Sequence, residues 1–160
     1  MIQRLSVLVF IAFLAACGAQ QEPEKKELPD GRAGGQLGGT GWAMASAIFY
    51  NENGKLDITI SGEGDSINCA NSTPQKNHLS FLVPPQVGRY EFDLTKPSSA
   101  PVFFVFRQGQ KVEMKIAKQS LIQIDSISVN RIQGRLMAES SGTGSLSGSV
   151  SGSFEATLCQ

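Results

Sequence analysis

The sequence predicts an all-β fold, a single antiparallel β-sandwich or β-barrel domain of about eight or nine strands. Three observations predict it. Apolar and polar residues alternate with a period of two over much of the chain after Trp42, as in Leu56–Ser61. Turn signals separate the short runs, and Asn53-Gly54 is typical of a hairpin because both residues tolerate positive φ. No window has a convincing helical period. This spacing of strands suits a sandwich and a barrel equally, so both remain open.

The strand candidates follow one another at short intervals, and their ends coincide with residues that interrupt a β-ladder. The third candidate, for example, stops at Pro84-Pro85, which has no N–H to donate. In order, the candidates are Trp42–Tyr50, Leu56–Ser61, Leu79–Val83, Val87–Phe92, Val102–Arg107, Lys111–Lys118, Leu121–Asp125 leading into Ile127–Val129, Ile132–Ala138, and Val150–Cys159. In Lys111–Lys118 three apolar residues, Val112, Met114 and Ile116, alternate with charged ones, which favours a strand over a helix.

The composition is that of one neutral globular domain. Of 160 residues 41% are hydrophobic, and 14 Lys+Arg balance 14 Asp+Glu. Nucleic-acid binding needs clustered cations, which a neutral chain does not favour, and the chain is too apolar for a disordered protein. One histidine and three cysteines leave few ways to build a transition-metal site. We therefore expect no nucleic-acid partner, no metal and no cofactor.

Residues 1–16 are predicted to be a secretory signal peptide. Arg4 supplies a positive charge, and Leu5–Ala16 is apolar except for Ser6. A basic start followed by a short apolar run is typical of such signals, and the run is shorter than the roughly twenty residues of a membrane-spanning helix.

The end of this run, Leu14-Ala15-Ala16-Cys17, resembles the lipobox of bacterial lipoproteins. The resemblance implies cleavage before Cys17, attachment of lipid to the Cys17 thiol, and anchoring of the protein to a membrane of the bacterial cell envelope. Two or three acyl chains hold a protein stably in a bilayer. Gly18 stands where an aspartate would favour the inner membrane, so the resemblance also favours the outer membrane.

Residues 17–41 are predicted to be the lipidated cysteine followed by a flexible tether. This stretch is polar, and Gly31–Gly41 contains six glycines, a linker composition. Its run Gly34–Gly39 lacks the strand and helix that flank a phosphate loop. The folded domain is therefore expected to span residues 42–160.

Cys69 and Cys159 are the thiols that remain once Cys17 carries lipid. In an oxidising compartment an even pair indicates a disulfide, here joining the last strand to the loop after the second predicted strand. A redox pair and a metal site are the alternatives. Redox cysteines usually lie close in sequence, and a zinc site needs two further ligands. The sequence favours a structural bridge.

The C-terminal pattern Ile132–Leu136 followed by Val150–Cys159 is similar to that of uncharacterised small β-rich lipoproteins of the bacterial envelope. In that pattern, a strand of the form I-x-G-x-L precedes one of the form V-x-G-x-F and a terminal cysteine. The resemblance implies the fold and the location, and it implies no activity.

No catalytic residue is predicted. His78 lies in a polar stretch with no nucleophile motif, so we expect a solvated loop residue rather than a general base. Glu91 and Asp93 share a strand face as a glycosidase pair would, although solvated strand positions commonly look the same. Glu63–Asn68 lacks the spacing of a calcium loop.

These expectations combine into a membrane-anchored envelope lipoprotein that acts as a non-enzymatic binding or structural module. The alternative is a lipocalin-like β-barrel that carries a small apolar ligand, with Phe103, Phe104 and Phe106 lining its cavity. The expected partners are the membrane, through the lipid on Cys17, and either a protein or a small apolar ligand.

Overall fold

The computed structural model describes residues 26–95, 100–140 and 142–160. The predicted signal peptide, Cys17 and the first part of the predicted tether lie outside these residues. The described residues form nine strands: β1 (Gly34–Leu37), β2 (Thr40–Glu52), β3 (Lys55–Gly62), β4 (His78–Val83), β5 (Gly88–Asp93), β6 (Val102–Gln108), β7 (Lys111–Ile127), β8 (Arg131–Ser140) and β9 (Gly148–Leu158). One turn of 3₁₀-helix, Gly144–Leu146, lies between β8 and β9. The all-β prediction is confirmed.

The nine strands form one sheet in the order β5-β7-β6-β4-β3-β2-β1-β9-β8, and a further pairing of β7 with β8 closes it. A sheet that closes on itself corresponds to the barrel of the two predicted architectures rather than to two stacked sheets. The strand pairs are antiparallel, apart from a short parallel contact between β2 and β9 at Ile48–Thr157 and Phe49–Leu158.

The long strand β7 makes the closure possible. Its first part, Lys111–Ile116, pairs with β6. Its second part pairs with β5 on the same edge and with β8 on the other edge. Two register shifts against β8 leave Lys118 and Asp125 as extra residues. A bulge shifts the phase of the alternation while the pairing continues, which explains why the sequence predicts separate strands here.

The predicted tether is wrong for its last part, because β1 lies within residues 17–41. Gly34–Leu37 pairs with β2 on one side and with β9 on the other, and Ala33 and Leu37 are buried. A strand rich in glycine has few side chains, so it lacks the alternation of apolar and polar residues that would identify it in the sequence. Gly35 has a φ of 150°, and a Cβ there would collide with the carbonyl oxygen of Ser149. Glycine therefore lets β1 approach β9 closely.

The inner face of the closed sheet is filled with packed apolar side chains. Phe81 and Phe154 meet edge to face with ring centroids 5.7 Å apart, and Phe104 lies 6.4 Å from Phe106. Members of this core that are less than 2% exposed also include Ile58, Ile60, Leu79, Ile122, Ile124, Ile132 and Leu136. Because the interior is packed by side chains, binding surfaces must be sought on the outer face.

Candidate functional site

A groove of about 800 Å³ opens on the outer face between β2 and β9. One wall is made by Met44–Ile48 of β2 together with Ile67–Cys69 from the loop after β3. The facing wall consists of outward side chains from β8 and β9 and of residues at the start of the described chain. We call it the β2–β9 groove; its polar lining includes Asp30, Arg32, Asp125, Gln133, Arg135, Ser153, Glu155 and Thr157.

The groove exists because another segment separates β2 from β9 along part of their length. Ala33 donates from its N–H to the Ser153 carbonyl oxygen, and the Ser153 N–H donates to the Gly31 carbonyl oxygen. The segment then continues into β1. On β2, a register shift leaves Ala45 as an extra residue. The Arg32 guanidinium donates to the Ala45 carbonyl oxygen at 2.7 Å. Because Ala45 is outside the regular β2–β3 pairing, its carbonyl oxygen needs another donor, and the Arg32 side chain supplies it.

The disulfide between Cys69 and Cys159 joins the loop after β3 to the end of β9 beside the groove. This prediction is confirmed. Cys159 is buried with Ile48 and Ile67 in a small apolar cluster on the outer face of β2. The Cys159 N–H also donates to the Phe49 carbonyl oxygen. The bridge therefore fixes the wall that carries Ile67 and Cys69.

The facing wall carries an ion-pair cluster centred on Arg135. Its Nε and Nη2 donate to the two carboxylate oxygens of Asp125 at 3.0 and 2.9 Å, and its Nη1 donates to Asp30 at 3.2 Å. The hydrogen bond that the guanidinium donates to Asp125, followed by the charge of that carboxylate, raises the pKa of Arg135 above its usual range. Two-pronged pairing of this kind fixes the plane of the guanidinium. It also ties the chain at Asp30 to β8.

A second polar group lies further along β9. Glu155 accepts a hydrogen bond from Gln133 Nε2 at 3.0 Å and forms an ion pair with Arg131 at 3.1 Å. Carboxylates, guanidinium groups and an amide therefore alternate along one wall, facing the largely apolar wall of β2. Among the described residues, no group of three or more His, Cys, Asp or Glu side chains is placed to hold a metal ion. The arrangement suits a ligand that both donates and accepts hydrogen bonds.

The prediction that His78 is a solvated loop residue is wrong. His78 is the first residue of β4 and is only 7% exposed, because it lies between Ser61 of β3 and Val105 of β6. Its Nδ1 lies 2.9 Å from the Lys76 carbonyl oxygen. Burial lowers the pKa of the imidazole, and this effect outweighs the Lys76 contact, which raises it. His78 does not line the β2–β9 groove.

Of the other sequence candidates, Glu91 and Asp93 lie away from the groove, and the run Glu63–Asn68 reaches it through Ile67 and Asn68. Glu91 and Asp93 are on β5, where Glu91 pairs with Arg89 at 3.2 Å and Asp93 accepts from the Thr95 N–H and hydroxyl. In the run Glu63–Asn68, the Asp65 carboxylate accepts two backbone N–H groups and so stabilises the loop.

Of the three phenylalanines considered for a ligand cavity, Phe104 and Phe106 belong to the packed core, whereas Phe103 is only partly buried. The sequence did not predict the groove residues. Arg135 and Glu155 occupy the outward positions of their strands, as the alternation indicates. The alternation does not show that the segment Asp30–Ala33 lies beside these strands, where Asp30 pairs with Arg135 and Ala33 binds Ser153 of β9.

The chain matches no protein-family model, and no curated protein or solved structure resembles it at a significant level. Within the part of the chain that the structure describes, no helix has the length and apolar character needed to cross a membrane.

Proposed function

We propose that the protein is a lipid-anchored binding module of the bacterial cell envelope, with the outer membrane favoured. In this proposal it is non-enzymatic and holds a short peptide segment of a partner protein in the β2–β9 groove. The observation that carries the proposal is the contrast between a packed interior and an open, polar groove on the outer face. Anchoring is supported by the lipobox-like sequence that ends at Cys17.

A peptide suits the chemistry of the groove better than an apolar molecule does. Arg32 and Arg135 offer guanidinium donors, and Asp30 and Glu155 offer acceptors on the same wall. A peptide brings amide donors and acceptors along its whole length and side chains of either charge. The apolar wall around Ile67 provides contact area. Sites of this volume typically combine apolar surface with a few well-placed polar groups.

Two observations speak against the alternatives. A lipocalin-like carrier needs an apolar cavity of roughly 300 Å³ or more inside the closed sheet, where Phe81 and Phe104 are instead fully buried among packed neighbours. A hydrolase needs its base within reach of its substrate. His78, the sole histidine of the chain, does not line the groove.

The anchoring is tested by metabolic labelling with a clickable fatty acid. We expect label on the wild-type protein and none on Cys17→Ser, because the thiol is the acceptor of the lipid. A wild-type protein without label, or a Cys17→Ser protein that retains it, would refute the anchoring.

The binding is tested by selecting peptides from a random library on the immobilised protein. Selected peptides should bind Glu155→Gln and Arg135→Gln at least tenfold more weakly, which corresponds to about 1.4 kcal/mol. Glu139→Gln is the matched control, because Glu139 is on β8 and does not line the groove. Peptides that bind all three variants as they bind the wild type, or a selection that enriches none, would refute the role of the groove.

A further inference from the structure

The first part of β7 has an unpaired edge. Lys111–Ile116 pairs with β6 on one side, whereas the pairing with β8 on the other side begins only at Ala117, opposite Ser140. Among the residues that the structure describes, no other strand pairs with this part of β7. In the segment after β8, Leu146 instead packs against the core. An unpaired edge presents a row of backbone N–H and C=O groups to which another strand can bind.

The β6–β7 turn determines which backbone groups face the unpaired edge. A turn of two residues joins the strands, so Gln108 and Lys111, which flank it, form a hydrogen-bonded pair. Such pairs alternate with non-bonded pairs along an antiparallel ladder. Every second residue of β7 from Lys111 therefore bonds to β6. The residues between them direct their N–H and C=O groups to the unpaired edge, and these residues are Val112, Met114 and Ile116.

The side chains of this part of β7 form two rows, because successive residues of a strand point to opposite faces. The outer row is apolar and consists of Val112, Met114 and Ile116. Met114 is 61% exposed. The other row is charged and consists of Lys111, Glu113 and Lys115. The Glu113 carboxylate pairs with Lys111 and lies 3.9 Å from the Lys115 ammonium. A partner strand must therefore match an apolar row and a row of alternating charges at the same time.

A second copy of the same strand meets both requirements. If two copies pair antiparallel with Met114 opposite Met114, Glu113 of each copy stands opposite Lys115 of the other. Val112 then stands opposite Ile116, so the apolar rows of the two copies are continuous. The residues that direct backbone groups to the edge all lie in hydrogen-bonded pairs. Opposite charges and apolar side chains that face each other across antiparallel strands stabilise the pairing.

The neighbouring registers of two identical strands are less favourable. A shift that keeps the edge groups paired moves the centre of symmetry by one residue. Centring at Glu113 puts Glu113 opposite Glu113 and Lys111 opposite Lys115, and centring at Lys115 puts Lys115 opposite itself. Like charges directly opposite each other are destabilising. Centring at Val112 shortens the paired stretch, because it brings the turn residues into it. The charges therefore favour the register centred at Met114.

We propose that the protein forms a symmetric dimer in which β7 of one copy pairs antiparallel with β7 of a second copy, centred at Met114. The two β6–β7 hairpins then form one continuous sheet. A two-fold symmetric interface uses the same surface on both copies, so each favourable pair outside the centre occurs twice. The pairing covers Val112 and Met114, the most exposed apolar side chains of β7. This inference is independent of the proposed anchoring and of the β2–β9 groove, which lies away from this part of β7.

The test reverses the charges across the proposed interface. Sedimentation equilibrium of the full chain in a density-matched detergent solution gives the dissociation constant of the wild-type dimer. Glu113→Lys should raise this constant by about tenfold or more, because it places like charges opposite each other at two symmetric positions, and Lys115→Glu should do the same. An equimolar mixture of the two variants should form heterodimers, since each variant then presents the charges that complement the other.

The matched controls carry the same charge reversals on the other hairpin of similar build. Glu52→Lys and Lys55→Glu flank the turn between β2 and β3, outside the proposed interface. Each should dimerise as the wild type does, and mixing them should change nothing.

Disulfide formation tests the register independently. Met114→Cys places one thiol of each copy at the symmetry axis, and mild oxidation should link the copies, because Cys69 and Cys159 are already bridged. Mass spectrometry of the linked peptide identifies the bond whatever the state of Cys17. Val129→Cys is the control that should stay unlinked, because Val129 is 86% exposed and follows the opposite end of β7.

Several results would overturn the inference. A wild-type protein that stays monomeric up to millimolar concentration is one. A dimer that both charge reversals leave intact is another, and so is a mixture of folded reversed variants that stays monomeric. If a reversed variant fails to fold, the cross-link decides alone: copies that link as readily through position 129 as through position 114, or that do not link at 114, overturn the proposed pairing.

Discussion

Removal of the Cys69–Cys159 bridge should lower the free energy of unfolding of the protein by about 2–5 kcal/mol. The two cysteines are 90 residues apart, and the chain-entropy model gives about 4.6 kcal/mol for a loop of that size. Other contacts also hold the loop after β3, so loss of the bridge should change the native structure of this loop little. The Ile67 N–H donates to Ser46 Oγ at 2.8 Å, and Asp65 accepts from Gln75 and Lys76. The native fold should therefore persist in Cys69→Ala/Cys159→Ala.

The measurement is a urea titration followed by the fluorescence of Trp42, the sole tryptophan. Its indole N–H donates to the Asn77 carbonyl oxygen at 3.2 Å, so unfolding changes its surroundings. The double variant should also show a steeper dependence on urea, because its denatured state is no longer held compact by the bridge. Wild-type protein under reducing conditions is the control and should match the variant. A loss below about 1 kcal/mol, or a wild type indifferent to reductant, would contradict this account of the bridge.

Two further predictions concern single residues that the sequence alone misplaced. Because burial lowers the pKa of His78, the unfolded chain takes up this proton at a higher pH than the folded one, and stability should fall as the pH drops below about 6.5. In His78→Gln the free energy of unfolding, measured by urea titrations at several pH values, should decrease less as the pH falls. An unaltered dependence on pH would show that other groups cause it. Gly35→Ala should cost about 2–4 kcal/mol because its Cβ collides with the Ser149 carbonyl oxygen. Gly41→Ala, with open space around the new Cβ, should stay within about 0.5 kcal/mol, and equal effects at the two glycines would count against a folded β1.

The parts of the fold that the sequence predicts are those in which local chemistry and tertiary structure agree. Asn53 and Gly54 have φ angles of 51° and 72°, and they join β2 to β3 as the hairpin signal indicates. The alternation in β3 puts Ile58 and Ile60 on the inner face, where they are fully buried. The disulfide could be predicted because few thiols remain for a pair to form.

The parts that the sequence misses depend on partners distant in the chain. β1 carries little pattern of its own, and its partners are β2 and the far C-terminal strand β9. His78 follows the polar residues Lys76 and Asn77, which suggests a loop. Its burial comes from Ser61 on one side and Val105 on the other. Neither contact leaves a signal in the residues next to His78.

The same reasoning explains why the outer face was the hardest surface to predict. The alternation indicates which side chains share a face of the sheet, and the face with the apolar side chains is expected to be the core. In the first half of β7 this assignment fails, because Glu113 stands opposite Phe106 of the inner face whereas Met114 is exposed. The bulge at Ala45 turns its carbonyl oxygen toward Arg32 beside the β2–β9 groove. The proposed peptide binding therefore depends on a place where the regular period of a strand is broken.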